Sequence, residues 1–146
     1  MQGITLEVIT KAEADALIAE DKVITANIVW RSWHRGQKME PVLVLGTVSG
    51  AVLRLLGWIG PRNRSFVLLY NNCPIRKWTV HARTKAPDGT RIDGPHKHTW
   101  DDILGDEYAY VPDDIRIGNP WEELEDFLRE CNVTLLGSFG IQSSQM

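Results

Sequence analysis

From Val23 to Val111 the chain is cut into short runs of β-branched, aromatic and aliphatic residues, separated by turn-forming clusters. This cadence constrains the fold more than any other feature of the sequence. Val23–Trp33 gives way to His34-Arg35-Gly36-Gln37-Lys38, which reads as a turn. Val42–Val48 and Ala51–Ile59 are apolar runs joined at Ser49-Gly50. Gly60-Pro61-Arg62-Asn63-Arg64 is a basic turn, Ser65–Tyr70 a further run, and Asn71-Asn72-Cys73-Pro74 its end. Short strands at regular spacing, joined by short turns, predict an antiparallel meander. The uncharged stretch after Glu40 is not a membrane span. Such a span needs about 20 apolar residues, and here Arg54 interrupts while Gly46, Gly50 and Gly57 punctuate.

Two helices bracket the β-rich segment. Thr10 is a good N-cap and Glu13 completes a capping box, so the first helix is expected over about residues 10–20. Asn119-Pro120-Trp121-Glu122 is the sharper start: Asn caps, Pro occupies the first helical position, and Glu122 closes the box. Trp121, Leu124, Phe127 and Leu128 form its buried stripe, and Asn132 ends it. Val133–Leu136 is expected as a last strand, with 138–146 as a disordered tail after a single domain over 1–137.

Ile75–Thr84 alternates cleanly. Arg76, Trp78, Val80 and Ala82 share the face expected to meet the core, leaving Lys77, Thr79, His81 and Arg83 as a polar, cationic row. Ala86-Pro87-Asp88-Gly89 is a strong turn, after which the chain returns through Thr90–Trp100. Extending that hairpin places His96 and His98 opposite Val80 and Trp78, on the core face and away from His81. A bulge at Gly94-Pro95 would shift the phase by one and bring the three histidines together.

The net charge of -3 conceals a segregation. Residues 31–85 carry ten basic residues against Glu40 alone, or +9. Residues 1–30 carry two basic and five acidic residues, or -3, and residues 86–146 carry four and thirteen, or -9. A basic middle of this kind suits an anion-binding face. It equally suits two segments that pack together and neutralise each other, or solvated surfaces. Cys73 and Cys131 make no disulfide framework, and the N-terminus lacks a basic start followed by an apolar run. The expectation is free thiols and a cytoplasmic location.

Chemistry-bearing residues are few. There is no GxxxxGK[ST] and no GxGxxG, so phosphate-loop and dinucleotide chemistry have no support. Glu130 beside Cys131 disfavours a thiolate. His81, His96 and His98 are a possible metal- or small-ligand-binding set, but one HxH without a Cys pair or HExxH is a weak zinc signal, and neither metal nor cofactor is expected. The acidic group Asp101, Asp102, Asp106 and Glu107 reads as a hydrated loop. The alternative chemistry is RNA cleavage by His81, Arg83, His96 and His98, which supply proton transfer and charge stabilisation at a phosphate. Arg35, Arg62, Arg64, Lys77 and Lys97 would hold the backbone, with Trp30 or Trp33 exposed to stack bases. Against this stands the plain alternative that a polar strand face is solvated sheet surface.

Trp78-Thr79-Val80-His81-Ala82-Arg83-Thr84, then Pro87-Asp88-Gly89, then Ile92-Asp93-Gly94-Pro95-His96-Lys97-His98 resemble an uncharacterised family of small proteins from bacteria, phages and mobile elements. Thr10 to Asp15 resembles that family's N-terminal T-x-A-E-A-D helix, and Ala86 departs from its usual Asn. The likeness covers most of residues 8–115 and implies a mobile-element or phage setting, with no activity to carry over.

The expected fold is α+β: a twisted, mainly antiparallel sheet or partial barrel of about five to seven strands, packed with an N-terminal and a C-terminal helix. The leading functional expectation is an accessory protein that binds RNA or single-stranded nucleic acid through a basic sheet face, with RNA cleavage as the finer possibility. The alternative is a non-catalytic protein-interaction module or homodimer. No membrane association is expected.

Overall fold

The computed structural model describes residues 9–142 apart from 34–35, 61–63, 81–83, 93–94, 102–104, 111–118 and 138. Helix α1 spans Lys11–Ala19. It starts where the capping box requires: the Thr10 hydroxyl accepts from the Glu13 amide at 3.1 Å, and the Glu13 carboxylate accepts from the Thr10 amide at 3.0 Å. Strands follow as β1 Lys22–Ile24, β2 Ile28–Trp33, β3 Gly36–Met39, β4 Val42–Gly46, β5 Val52–Ile59, β6 Arg64–Tyr70 and β7 Cys73–Val80. A small hairpin, β8 Thr84–Lys85 and β9 Arg91–Ile92, precedes β10 His96–Asp101 and β11 Gly105–Tyr110. Helix α2 covers Pro120–Glu130, then come β12 Val133–Leu135 and β13 Phe139–Gln142.

The main sheet is mixed, mostly antiparallel and open, in the order β11-β10-β7-β6-β5-β3-β2-β13, with β4, β1 and β12 completing it. Register shows that several short strands are halves of longer ones. β3 and β4 both run antiparallel along β5, slipped by one residue across Glu40-Pro41. A bulge explains the slip, since proline cannot donate to a ladder. β1 and β2 run along β4 and β3 with a similar one-residue slip. β12 pairs parallel with β1, and β13 parallel with β2, at the same offset of 111 residues. The architecture is therefore a meander whose final strand returns to lie beside the first.

Two expectations are corrected here. Within the segment 138–146, expected as a tail, Phe139–Gln142 pair with Ile28–Arg31. The local sequence carries little strand signal because the segment is only four residues long and includes Gly140. The histidine register also differs: His96 lies opposite Thr79 and His98 opposite Lys77, while Lys97 faces Trp78. The hairpin keeps the expected Thr84–Ile92 pairing. Thr79 and Thr84 are five positions apart whereas Ile92 and His96 are four apart, so the register shifts by one between the two ladders.

The core lies on one face of the sheet, against α2. Ile24, Ile28, Trp30, Val44, Leu53, Leu55, Phe66 and Trp78 are buried there with Leu124 and Phe127 of the helix. Trp30 meets Phe66 and Trp121 edge-on, with centroids 6.3 and 5.6 Å apart. Gly57 makes room for that ring: a Cβ there would stand 2.8 Å from the Trp30 side chain. The sheet wraps around the helix. Charges from β1 (Lys22), β7 (Arg76) and β10 (Lys97), strands far apart in sheet order, all act on the Cys131 thiol at the end of α2. No helix among the described residues is long and apolar enough to cross a membrane.

Charge segregation is partly resolved inside this core. Arg64 and Arg76, from the basic segment, pair with Glu123 and Glu130 of α2. Glu123 is fully buried and also accepts from Trp78 Nε1 at 3.0 Å. Lys97, fully buried, donates to Glu130 Oε2, which Arg76 Nη1 also reaches at 3.0 Å. Lys22 is buried too, and its ammonium donates to the carbonyls of Leu17, Ile18 and Glu20 at 2.5, 2.9 and 2.5 Å. It thus caps the C-terminal end of α1, where the helix dipole favours a cation. Burial is the main reason its pKa is lowered.

Candidate nucleic-acid interface on the outer sheet face

Directly paired residues point to the same side of a sheet. Following the ladder therefore builds the face opposite α2. Arg31 pairs with Lys38, Lys38 with Trp58, Trp58 with Ser65, Ser65 with Thr79, and Thr79 with His96. At ~4.8 Å between strands, this row runs for about 24 Å. The next row holds Leu56, Val67, Lys77, His98 and Ala109. Beyond it, Leu43 pairs with Arg54 and Arg54 with Leu69.

This face is cationic and aromatic at once. Arg31, Lys38 and Arg54 are exposed, and Trp58 and Lys77 are half-buried. Arg31 pairs with Glu40 at 3.0 Å, both side chains remaining about half exposed, so screening keeps that contact weak. Toward β10 the face becomes closed. Thr79 and His96 are buried, and the Thr79 hydroxyl has no hydrogen-bond partner among the described residues. His98 is half-buried, and its ring stands edge-on to His96 with centroids 4.9 Å apart. The Pro87-Asp88-Gly89 turn stands beside this end: Ala86, Pro87, Asp88, Thr90 and Ile92 border a cleft of about 440 Å³ with Ala109 and Tyr110.

Of the residues expected to act together, His96, His98 and Lys77 do share this face with Thr79. Arg64 and Lys97 do not reach it, because the α2 carboxylates Glu123 and Glu130 hold them on the core side. Trp30, expected to be exposed, is fully buried, because its position opposite Met39 points it at the core. Arg35, Arg62, His81 and Arg83 lie outside the described residues, as does the side chain of Trp33. Trp58, Arg31, Lys38 and Arg54 also stand on this face and were not among the expected site residues. The alternation of Val52–Ile59 held the signal, since Arg54 and Trp58 share a phase. Among the described residues no group of three or more His, Cys, Asp or Glu is placed to hold a metal ion.

A family model described as a family of unknown function (DUF6978) matches residues 62–133. The matched span takes in the Pro87-Asp88-Gly89 turn, His96 and His98, and all of α2. No curated protein and no solved structure matches the chain.

Proposed function

We propose that the protein binds single-stranded nucleic acid, RNA foremost, across the outer face of the sheet. The observation that supports this most is the aligned row Arg31, Lys38, Trp58, Ser65, Thr79 and His96, flanked by Lys77 and Arg54. Cations follow a phosphate backbone while an aromatic ring stacks a base, and neither demands a particular sequence. His96 is buried and His98 only half-buried, so the reading rests on binding. Cleavage would run through His98 as the proton-transfer group on this face. The resemblance to proteins of phages and mobile elements supports an accessory role in such an element, and the two free cysteines suit a cytoplasmic setting.

The test is fluorescence anisotropy with a labelled single-stranded RNA over a salt series. Binding is expected to weaken steeply with salt. Each of Lys77→Gln and Arg54→Gln should reduce the slope of log K against log salt by about 0.7. Trp58→Ala should weaken binding by roughly ten-fold or more. Absence of binding at low salt overturns the proposal.

A second reading has its own observation. Leu43 and Val52 are 54% and 50% exposed on the β4–β5 hairpin, which suits a protein partner. Substituting both with Ser would abolish such an interaction and leave the RNA salt slope unchanged.

A further inference from the structure

We propose that two copies of this chain associate edge to edge through β12, forming a two-fold symmetric, continuous sheet. β12 pairs only with β1 among the described residues. Its hydrogen bonds show which way its backbone faces. Lys22 N donates to Asn132 O at 2.8 Å, and Leu136 N donates to Ile24 O at 2.8 Å. In a parallel ladder every second residue serves one neighbour. Asn132, Thr134 and Leu136 therefore serve β1, while the N–H and C=O groups of Val133 and Leu135 point to the outer edge. An uncharged Val-Thr-Leu edge followed by Leu136, 64% exposed, carries none of the charges or prolines that commonly guard an edge strand.

The surroundings of the edge identify the occupant. A groove of about 620 Å³ runs between β12 and α2, with Leu128, Val133 and Leu135 as its apolar floor and Glu125 and Arg129 on its helical wall. Outward backbone groups call for an extended strand, and the helical wall carries one acid and one base a single turn apart. A two-fold axis through Thr134 sets Val133 opposite Leu135 of the second copy, both with their backbone groups directed across the interface. The same axis runs the two α2 helices antiparallel, so Glu125 of each copy faces Arg129 of the other. An isologous interface must be complementary to itself, and this arrangement of charges is. Arg129 also donates to Asp126 at 2.8 Å, with its side chain 69% exposed, so the guanidinium keeps donors for a second carboxylate.

The experiment is size-exclusion chromatography with light scattering on the full chain over a concentration series. Glu125→Arg and Arg129→Glu are run singly and then mixed in equal amounts. The wild-type chain is expected to be dimeric at the upper concentrations. Each single variant should be monomeric, because like charges then face one another. The mixture should recover the dimer, because the two positive side chains of the first variant meet the two negative side chains of the second. Arg129→Glu places a carboxylate beside Asp126, so its fold is checked by circular dichroism, and Glu125→Arg alone remains decisive if that variant unfolds. A wild-type chain that stays monomeric, a Glu125→Arg chain that still dimerises, or a mixture of two folded variants that stays monomeric overturns the proposal.

Discussion

Glu130 holds two cations with one carboxylate, and its removal should cost far more than removal of either cation. Lys97 is fully buried and Arg76 is 13% exposed, and both reach Glu130 Oε2. Burial works against the Arg76 charge, while the Glu130 carboxylate leads the groups that more than offset it, so its pKa stands above the ordinary arginine value. Glu130→Gln removes the carboxylate that both cations share, and breaking a buried pair from one side costs about 3–5 kcal/mol. For a chain of this length the midpoint should fall by about 8–16 °C, or by ~2 M in urea at a slope of about 2 kcal/mol/M. Lys97→Met behaves differently. It removes a buried charge and leaves a balanced Arg76–Glu130 pair, so its cost should stay below ~1.5 kcal/mol. The double variant should be less destabilised than Glu130→Gln alone, since one of the two cations that lost Glu130 is gone. Urea unfolding of the wild type, both single variants and the double closes the cycle. If Lys97→Met costs as much as Glu130→Gln, or the cycle shows no coupling, the account of this cluster is refuted.

Other outcomes follow from the same structure. Gly57→Ala should lower stability by about 1–3 kcal/mol through crowding of Trp30, visible as a lower melting temperature and altered tryptophan fluorescence. The Glu20 carboxylate accepts from the Ser49 and Val48 amides and the Ser49 hydroxyl, contacts that hold its pKa below the usual value, those to Ser49 foremost. Its contribution is present above the unfolded-state pKa and is lost as pH falls through the lower folded value, so Glu20→Gln should flatten the acid side of a melting-temperature profile against pH. Cys131 is buried, and burial first, with Glu130 second, pushes its thiol up to about 12. Mass spectrometry after native maleimide labelling at mildly alkaline pH should find Cys73 modified and Cys131 untouched until urea is added.

Much of the fold was legible because local chemistry decided it. Thr10 with Glu13, Asn119 with Pro120, and the Ala86-Pro87-Asp88-Gly89 turn each act within a few residues, and all three formed where expected. The Ala86 N–H to Thr90 O bond at 2.7 Å closes that hairpin as the sequence indicates. Long-range choices were less legible. Nothing local marks Lys97 or Glu123 as interior residues, because the partners that make burial tolerable come from other elements. The histidine face turned on a one-position difference in register between the β7–β10 and β8–β9 ladders, and a single slip inverts every side chain that follows. The outer cationic row was missed for a related reason. Arg31, Lys38 and Trp58 belong to three separate strands, and only their register aligns them.

The return of the last strand to the first has a kinetic consequence. Lys22 meets Val133 and Ile28 meets Phe139, each across 111 residues of chain. Pairings this remote must meet the entropy of closing a long loop before they contribute stability. The meander from β2 to β7 can assemble from neighbouring hairpins, whereas the β1–β12 and β2–β13 seams wait for α2 and the strands after it. During synthesis on a ribosome the strand that β12 will cover is made early and its partner late. In that interval β1 and β2 present an unpaired edge, and refolding should show a slow closing phase that follows an earlier, hairpin-dominated one.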